Sequence, residues 1–210
     1  MPAETYSDHP ILPLADGWHA VALSRDLPAG APFPVILGGR EIVIWRAESG
    51  AVRAWVDRCP HRGMRLSLGF VRGDTLSCLY HGWRYRGEGG GCDRIPAHPD
   101  LVPPKTITVE RYGAAEAAGL VWVRMGEGAD APAVADAGLD GAMSVTIDAP
   151  AESVKAILTL PDGMEAEVQP VLAARCRVHV TAKRDCLKAA IAFAEALRRR
   201  FETSDLIAAE

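Results

Sequence analysis

The sequence predicts an all-β antiparallel sandwich, or a partly open barrel, followed by a small α+β module. Three observations carry that prediction. From Trp18 to about Met125, short β-branched or aromatic runs alternate with glycine-rich turns, with no long helical period between them. Residues 126–141 are rich in Ala, Gly and Asp and contain Pro132, a composition that loses too much chain entropy on packing and reads as a linker. Beyond it a helical period appears for the first time.

The elements follow in order. Trp18 to Ser24 alternates as a half-buried strand does. Val35-Ile36-Leu37, then Gly38-Gly39, then Glu41 to Trp45 reads as a hairpin, because paired glycines suit its tight turn. Ala51 to Val56, Thr75 to Cys78, Trp83 to Tyr85, Thr106 to Tyr112 and Gly119 to Arg124 continue the pattern. Arg58 to Gly69 and Leu79 to Pro99 break it as two long loops. After the linker, Ser144 to Ile147 is strand-like, and Asp148 is placed to cap a helix opening near Pro150. Val168 to Leu172 and Arg175 to Thr181 predict two more strands. Leu187, Ile191, Ala194, Leu197 and Phe201 recur at i, i+4, i+7, with Arg198-Arg199-Arg200 where the dipole favours cations. The expected division is therefore 1–128, a linker at 129–141, and a strand–helix–strand–strand–helix module at 142–210.

Composition excludes several classes. The 210 residues are 49% hydrophobic and 24% charged, which is globular rather than disordered or fibrous. A net charge of -4 lacks the basic surplus of a general nucleic-acid binder. Basic and acidic residues balance at 14 each up to residue 128, so the negative excess lies beyond it. No run of about 18 apolar residues spans a membrane, and the start Met1-Pro2-Ala3-Glu4 is unlike a secretory signal, so a cytoplasmic protein is expected. Five cysteines, an odd number in such a setting, argue for thiol or metal chemistry over a disulfide framework.

That chemistry centres on Cys59-Pro60-His61 and, after a gap of 16 residues, Cys78-Leu79-Tyr80-His81. Each loop offers one soft thiolate and one imidazole. Two Cys and two His can make a tetrahedral zinc site or a two-iron cluster. Two facing loops can put both thiolates on a buried iron and both imidazoles on an outer one.

The residues around the four donors are more specific. The runs Cys59-Pro60-His61-Arg62-Gly63-Met64-Arg65-Leu66-Ser67-Leu68-Gly69 and Gly73-Asp74-Thr75-Leu76-Ser77-Cys78-Leu79-Tyr80-His81-Gly82-Trp83-Arg84-Tyr85 closely resemble the Rieske [2Fe-2S] domain. The version they resemble is the one at the N-terminus of Rieske non-haem iron oxygenases, and the resemblance covers about Trp18 to Met125. It implies the Rieske-type iron–sulfur protein (ISP) sandwich and one [2Fe-2S] cluster per chain. Its ligands would be Cys59 and Cys78 on one iron, His61 and His81 on the other. Gly63 and Gly82 would let the backbone approach the cluster. The second cysteine pair of membrane-complex relatives has no counterpart, since Met64 and Leu79 or Tyr80 stand there. Cys92 is expected as a packed thiol, as are Cys176 and Cys186, although a helix start near Cys186 could lower its pKa.

The resemblance also exposes a gap. Oxygenases of this kind hold a mononuclear iron with two histidines and a carboxylate, and after His98 this chain has only His179. His9, His19 and His98 have no carboxylate partner at useful spacing. The opening Val145 to Pro150 is faintly similar to a helix-grip domain. The expected function is single-electron transfer within an oxygenase system, from a reductase or ferredoxin-type donor to an oxygenase or other acceptor. Alternatives are a shortened oxygenase-like subunit completed by another chain, or a redox-sensing module. Kinship also implies a homo-oligomer; no nucleic acid and no membrane partner is expected.

Overall fold

The computed structural model describes residues 9–128, 131–134 and 138–207. Parts of the expected linker, 129–130 and 135–137, lie outside these residues. The described chain is mostly antiparallel β sheet with few helices, and its internal contacts divide it into two units. One comprises residues 27–36 and 40–114. The other comprises residues 9–26, 37–39 and the chain from 115 onward. Strand β1 (Gly17–Leu23) groups with the second unit.

The first unit is built on β2 (Pro32–Leu37), β3 (Arg40–Arg46) and β4 (Val52–Val56). The turn after β2 puts Gly38 and Gly39 at φ 55° and 81°, the left-handed pair that a two-residue hairpin demands. Ile42↔Val56 and Ile44↔Ala54 set the register of β3 on β4, and β4 pairs onward with the start of β9 through Ala54↔Tyr112. A four-stranded meander follows: β5 (Phe70–Arg72), β6 (Thr75–Ser77), β7 (Arg84–Arg86) and β8 (Cys92–Arg94). Trp45, Trp55, Leu66, Leu76 and Tyr85 are wholly buried and form one core, with Cys59 and Cys78 in its wall. Trp45 and Trp55 meet edge to face at 5.0 Å.

Strand β9 (Arg111–Ala117) leads to β10 (Leu120–Met125), which pairs with β1 from Gly17↔Met125 to Leu23↔Leu120. The second unit continues with β11 (Asp140–Ile147), α1 (Ala151–Ile157), β12 (Met164–Leu172), β13 (Arg175–Ala182) and α2 (Leu187–Ile207). This is the expected strand–helix–strand–strand–helix order. The three strands form an antiparallel sheet with β13 in the middle. One face of β13 sends Cys176, Val178, Val180 and Ala182 into a core shared with Ala190, Ala194 and Leu197 of α2.

Several expectations change. The strand expected over Thr106–Tyr112 begins only at Arg111. Ahead of it the backbone pairs with the glycine turn instead, where Cys92 N–H donates to Ile107 O and Val109 N–H to Gly90 O, leaving a single bridge at Thr108. The second expected loop holds strand β8, and the unassigned stretch after the first holds β5; both are three-residue strands too short to show a period. Strand β11 starts at Asp140, inside the expected linker. Asp148 does not cap α1: Pro150 occupies that position, and Asp148 accepts from Arg175 Nε at 2.5 Å because Ile147↔Cys176 brings the two strand ends together. On α2 it is Ala190 that is fully buried, while Ile191 is 37% exposed at the margin of the apolar stripe.

Candidate metal centre

The two loops that carry the four donors share one backbone scheme. In the first, Cys59 N–H donates to Met64 O at 2.8 Å and Gly63 N–H to Cys59 O at 2.9 Å. In the second, Cys78 N–H donates to Trp83 O at 2.9 Å and Gly82 N–H to Cys78 O at 3.0 Å. Each turn closes at a glycine four residues after its cysteine, with φ of 72° at Gly63 and 68° at Gly82. A side chain there would be strained, and at Gly82 it would also press on Pro96 Cγ at 3.0 Å. The glycine N–H groups are thus spent inside the loops. The N–H groups that face the sulfurs are those of His61 and Arg62 toward Cys59, and of Tyr80 and His81 toward Cys78.

The turns bring like donors together. The Cys59 and Cys78 thiols hydrogen-bond to each other and are both buried. The imidazoles of His61 and His81 lie 4.7 Å apart, His81 exposed and His61 half-buried. The bond from Cys78 chiefly, then the Tyr85 hydroxyl and the backbone donors, hold the Cys59 thiol down at about 6 against desolvation. Donating that proton, and being buried, pushes the Cys78 thiol up. Desolvation first, then the charges of His81 and Arg62, lower the pKa of the His61 imidazole. A thiolate that gathers several donors and a neutral imidazole are the forms that bind metal.

The surroundings fix these side chains. The Tyr85 hydroxyl sits 3.1 Å from Cys59 Sγ. The Trp83 indole lies flat on His61, and Tyr80 leans over His81 with ring centroids 3.8 Å apart. Two buried acids hold the first loop: Glu41 on β3 pairs with Arg58 at 2.5 Å and with Arg65, while Asp57 accepts from Ser67 N–H at 2.7 Å and from its hydroxyl at 2.6 Å. The second is braced by Arg84, which donates to both oxygens of Asp93. Sequence reading missed Glu41, Asp57 and Asp93. Arginines flanking a ligand loop were the available signal, but their acids come from other strands.

The remaining candidates lie elsewhere. Cys92 is buried opposite Tyr85 and packs in the core, and Cys176 is fully buried on β13, where desolvation pushes its thiol to about 11. Cys186 is half-buried, and its thiol shifts up rather than down, through desolvation and Asp185. His19 Nε2 contacts Ala15 O at 2.9 Å. His179 is wholly buried, with Nδ1 2.8 Å from Ser144 Oγ and Nε2 2.8 Å from Gln169 Oε1, so both ring nitrogens are engaged.

Two buried thiols beside two imidazoles near the surface fit a two-iron cluster, whose irons each take two protein ligands. Comparison with known proteins agrees. The family model described as the Rieske [2Fe-2S] domain matches residues 17–112. The oxidoreductase NdmD of Pseudomonas putida is 41% identical over 148 residues, covering 67% of this chain and 25% of that protein. The 3-chlorobenzoate-3,4-dioxygenase oxygenase subunit of Comamonas testosteroni is 40% identical over 110 residues, 52% of this chain and 26% of that one. The chain thus spans about a quarter of these relatives. Among solved structures, NdmA of Pseudomonas putida CBB5 with caffeine aligns with a TM-score of 0.70 at 19% identity, over 88% of this chain and 81% of that one, which speaks to fold alone.

Proposed function

We propose, from the match of residues 17–112 to the Rieske [2Fe-2S] domain, that this chain carries single electrons with Cys59 and Cys78 on one iron, His61 and His81 on the other. The domain binds one [2Fe-2S] cluster, and its relatives tie it to electron transfer in oxygenase systems. The observation that carries the ligand assignment is the pairing of like donors, thiols inward and imidazoles outward.

The bound cluster supplies a one-electron couple. The chain's residues decide how it is held. Backbone N–H groups of His61, Arg62, Tyr80 and His81, with the Tyr85 hydroxyl, donate toward the cysteine sulfurs and favour added negative charge there. Leu66, Leu76 and Trp45 exclude water from the thiol side. The exposed ring of His81 gives a way out.

The electron donor in this reading is a reductase or ferredoxin-type protein, and the acceptor an oxygenase component or another protein. NdmD, an oxidoreductase by name, and the dioxygenase subunit support both ends. The reading takes 1–128 as the cluster domain, 129–141 as linker and 142–210 as a docking or assembly module in a cytoplasmic homo-oligomer. No helix among the described residues is long and apolar enough to cross a membrane.

A shortened oxygenase-like subunit is the second reading, favoured by a fold likeness to a solved monooxygenase that extends over most of the chain. Against it, the one histidine beyond His98 has both nitrogens engaged. Metal and sulfide counting on anaerobically purified protein tests both. Two irons and two acid-labile sulfides per chain, with an EPR signal on one-electron reduction, are expected. Zinc as the only metal overturns the first reading, and a third iron favours the second.

A further inference from the structure

The second unit forms a cavity of about 310 Å³ that the cluster chemistry does not use, and ligand sites begin at about this size. Part of its lining is hydrocarbon: Leu120 and Trp122 of β10, with Val134. Trp122 is buried, and its indole N–H donates to the Ala117 carbonyl at 3.1 Å, so the ring offers the cavity apolar surface and no donor. The turn ahead of β10 holds Ala118 at φ 50°, the one non-glycine residue in the left-handed region among the described residues. Asn, Asp or Gly is the ordinary occupant of such a turn position; alanine adds a methyl group to the lining where an amide or a carboxylate would make it polar.

The rest of the lining accepts hydrogen bonds. Glu165, half-buried, and Glu167, exposed at the mouth, share a face of β12, and the pairing Glu165↔Thr181 sets Thr181 of β13 beside them. Neither carboxylate forms an ion pair among the described residues. Desolvation first, then the Glu165 charge, push the Glu167 carboxyl up, and Lys155, which opposes them, is itself paired with Glu152 at 2.9 Å. Thr181 is an independent sign of a ligand. It is 2% exposed, yet its hydroxyl has no hydrogen-bond partner among the described residues, although buried polar groups are as a rule satisfied.

These features select the ligand's chemistry. An anion would meet two carboxylates and no cation in the lining. A divalent metal ion takes about six to eight oxygen ligands, and only Glu165, Glu167 and Thr181 among the lining side chains carry oxygen. A primary ammonium group has three N–H donors, one for each of these three residues. We propose that the cavity binds a small arylalkyl ammonium ion, its head on Glu165, Glu167 and Thr181 and its ring against Leu120, Trp122 and Val134. The site is separate from the four cluster ligands and gives the second unit a binding role that does not depend on electron transfer.

The test is isothermal titration calorimetry on the whole, cluster-loaded chain with 2-phenylethylammonium as probe. The expected result is saturable one-to-one binding, at least ~10-fold tighter than that of phenylacetate, which inverts the charge, and of methylammonium, which lacks the ring. Thr181→Val exchanges the hydroxyl for a methyl group of the same size and weakens binding by about 3- to 10-fold. Glu165→Gln with Glu167→Gln weakens it by at least ~10-fold, whereas Glu195→Gln on α2, outside the lining, stays within about twofold. Melting temperature and cluster absorption verify the fold of each variant, and Thr181→Val keeps its force if the double variant fails to fold. No saturable binding of the probe, equal affinity for phenylacetate or methylammonium, or undiminished binding in either folded cavity variant overturns the proposal. So does displacement of the probe by calcium chloride at matched ionic strength, which marks an inorganic cation site.

Discussion

The Tyr85 hydroxyl lies 3.1 Å from Cys59 Sγ, inside a core that leaves neither side chain exposed. Burial and the neighbouring thiols push the Tyr85 phenol up, so it stays a donor at any working pH. A donor to sulfur stabilises the more negative, reduced state. Tyr85→Phe is expected to lower the midpoint potential by roughly 40 mV, the one-electron equivalent of about 1 kcal/mol, with the ring's packing retained. Protein-film voltammetry reads this directly; an unchanged or raised midpoint would show that the bond does not favour reduction.

Glu41 is buried and pairs with both Arg58 and Arg65. Glu41→Ala removes the buried carboxylate that pairs with the mostly buried Arg58 guanidinium and is expected to cost about 3 kcal/mol. Because the pair anchors the loop bearing Cys59 and His61, cluster occupancy should fall with it. Denaturant unfolding and iron content check the two effects; full stability in the variant contradicts the clamp.

The ligand assignment separates two kinds of variant. Cys78→Ser removes a buried sulfur and is expected to abolish the visible absorption and lower the melting temperature, since binding energy of a metal centre is also folding energy. His81→Cys replaces an exposed imidazole by a thiolate, which should keep the fold but lower the potential through the added negative charge. Redox titration of His81→Cys at an unchanged midpoint would remove His81 from the ligand set.

His179 is buried between Ser144 and Gln169, and desolvation, with a smaller part from Arg177, drives its pKa down to about 3. An unfolded histidine near 6.5 binds a proton that the folded one refuses. The contribution is therefore whole above about pH 6.5 and is lost as pH falls from there toward about 3, at about 1.4 kcal/mol per pH unit. His179→Gln should flatten that slope in the unfolding free energy while lowering stability at neutral pH. An equally steep slope in the variant would assign the acid sensitivity to other groups.

The ligand loops are legible in the sequence because their donors sit two and three residues from each other, and a turn of that length has few ways to fold. Cys59, His61, Cys78 and His81 stand out as candidate metal donors by residue type and spacing, and the resemblance of the runs around them implies the cluster rather than zinc. The C-terminal module is legible as an element order, since period 2 and period 3.6 are local signals. Strands β5 and β8 are not, because three-residue strands in polar, glycine-rich sequence carry no period. Asp148 reads as a cap because it precedes Pro150, and only the pairing of β11 with β13 reveals that Arg175 claims it.

By itself, then, the sequence determined the four candidate donors, the glycines that close their turns and the order of strands and helices, all of which depend on neighbours along the chain. The tertiary structure alone decided that Tyr85 reaches Cys59, that Trp83 covers His61, that Glu41 and Asp57 anchor the first loop, and that His179 is sealed between two other strands. Those contacts join residues 10 to 35 positions apart, and their partners are chosen by strand register and burial, which no local pattern encodes.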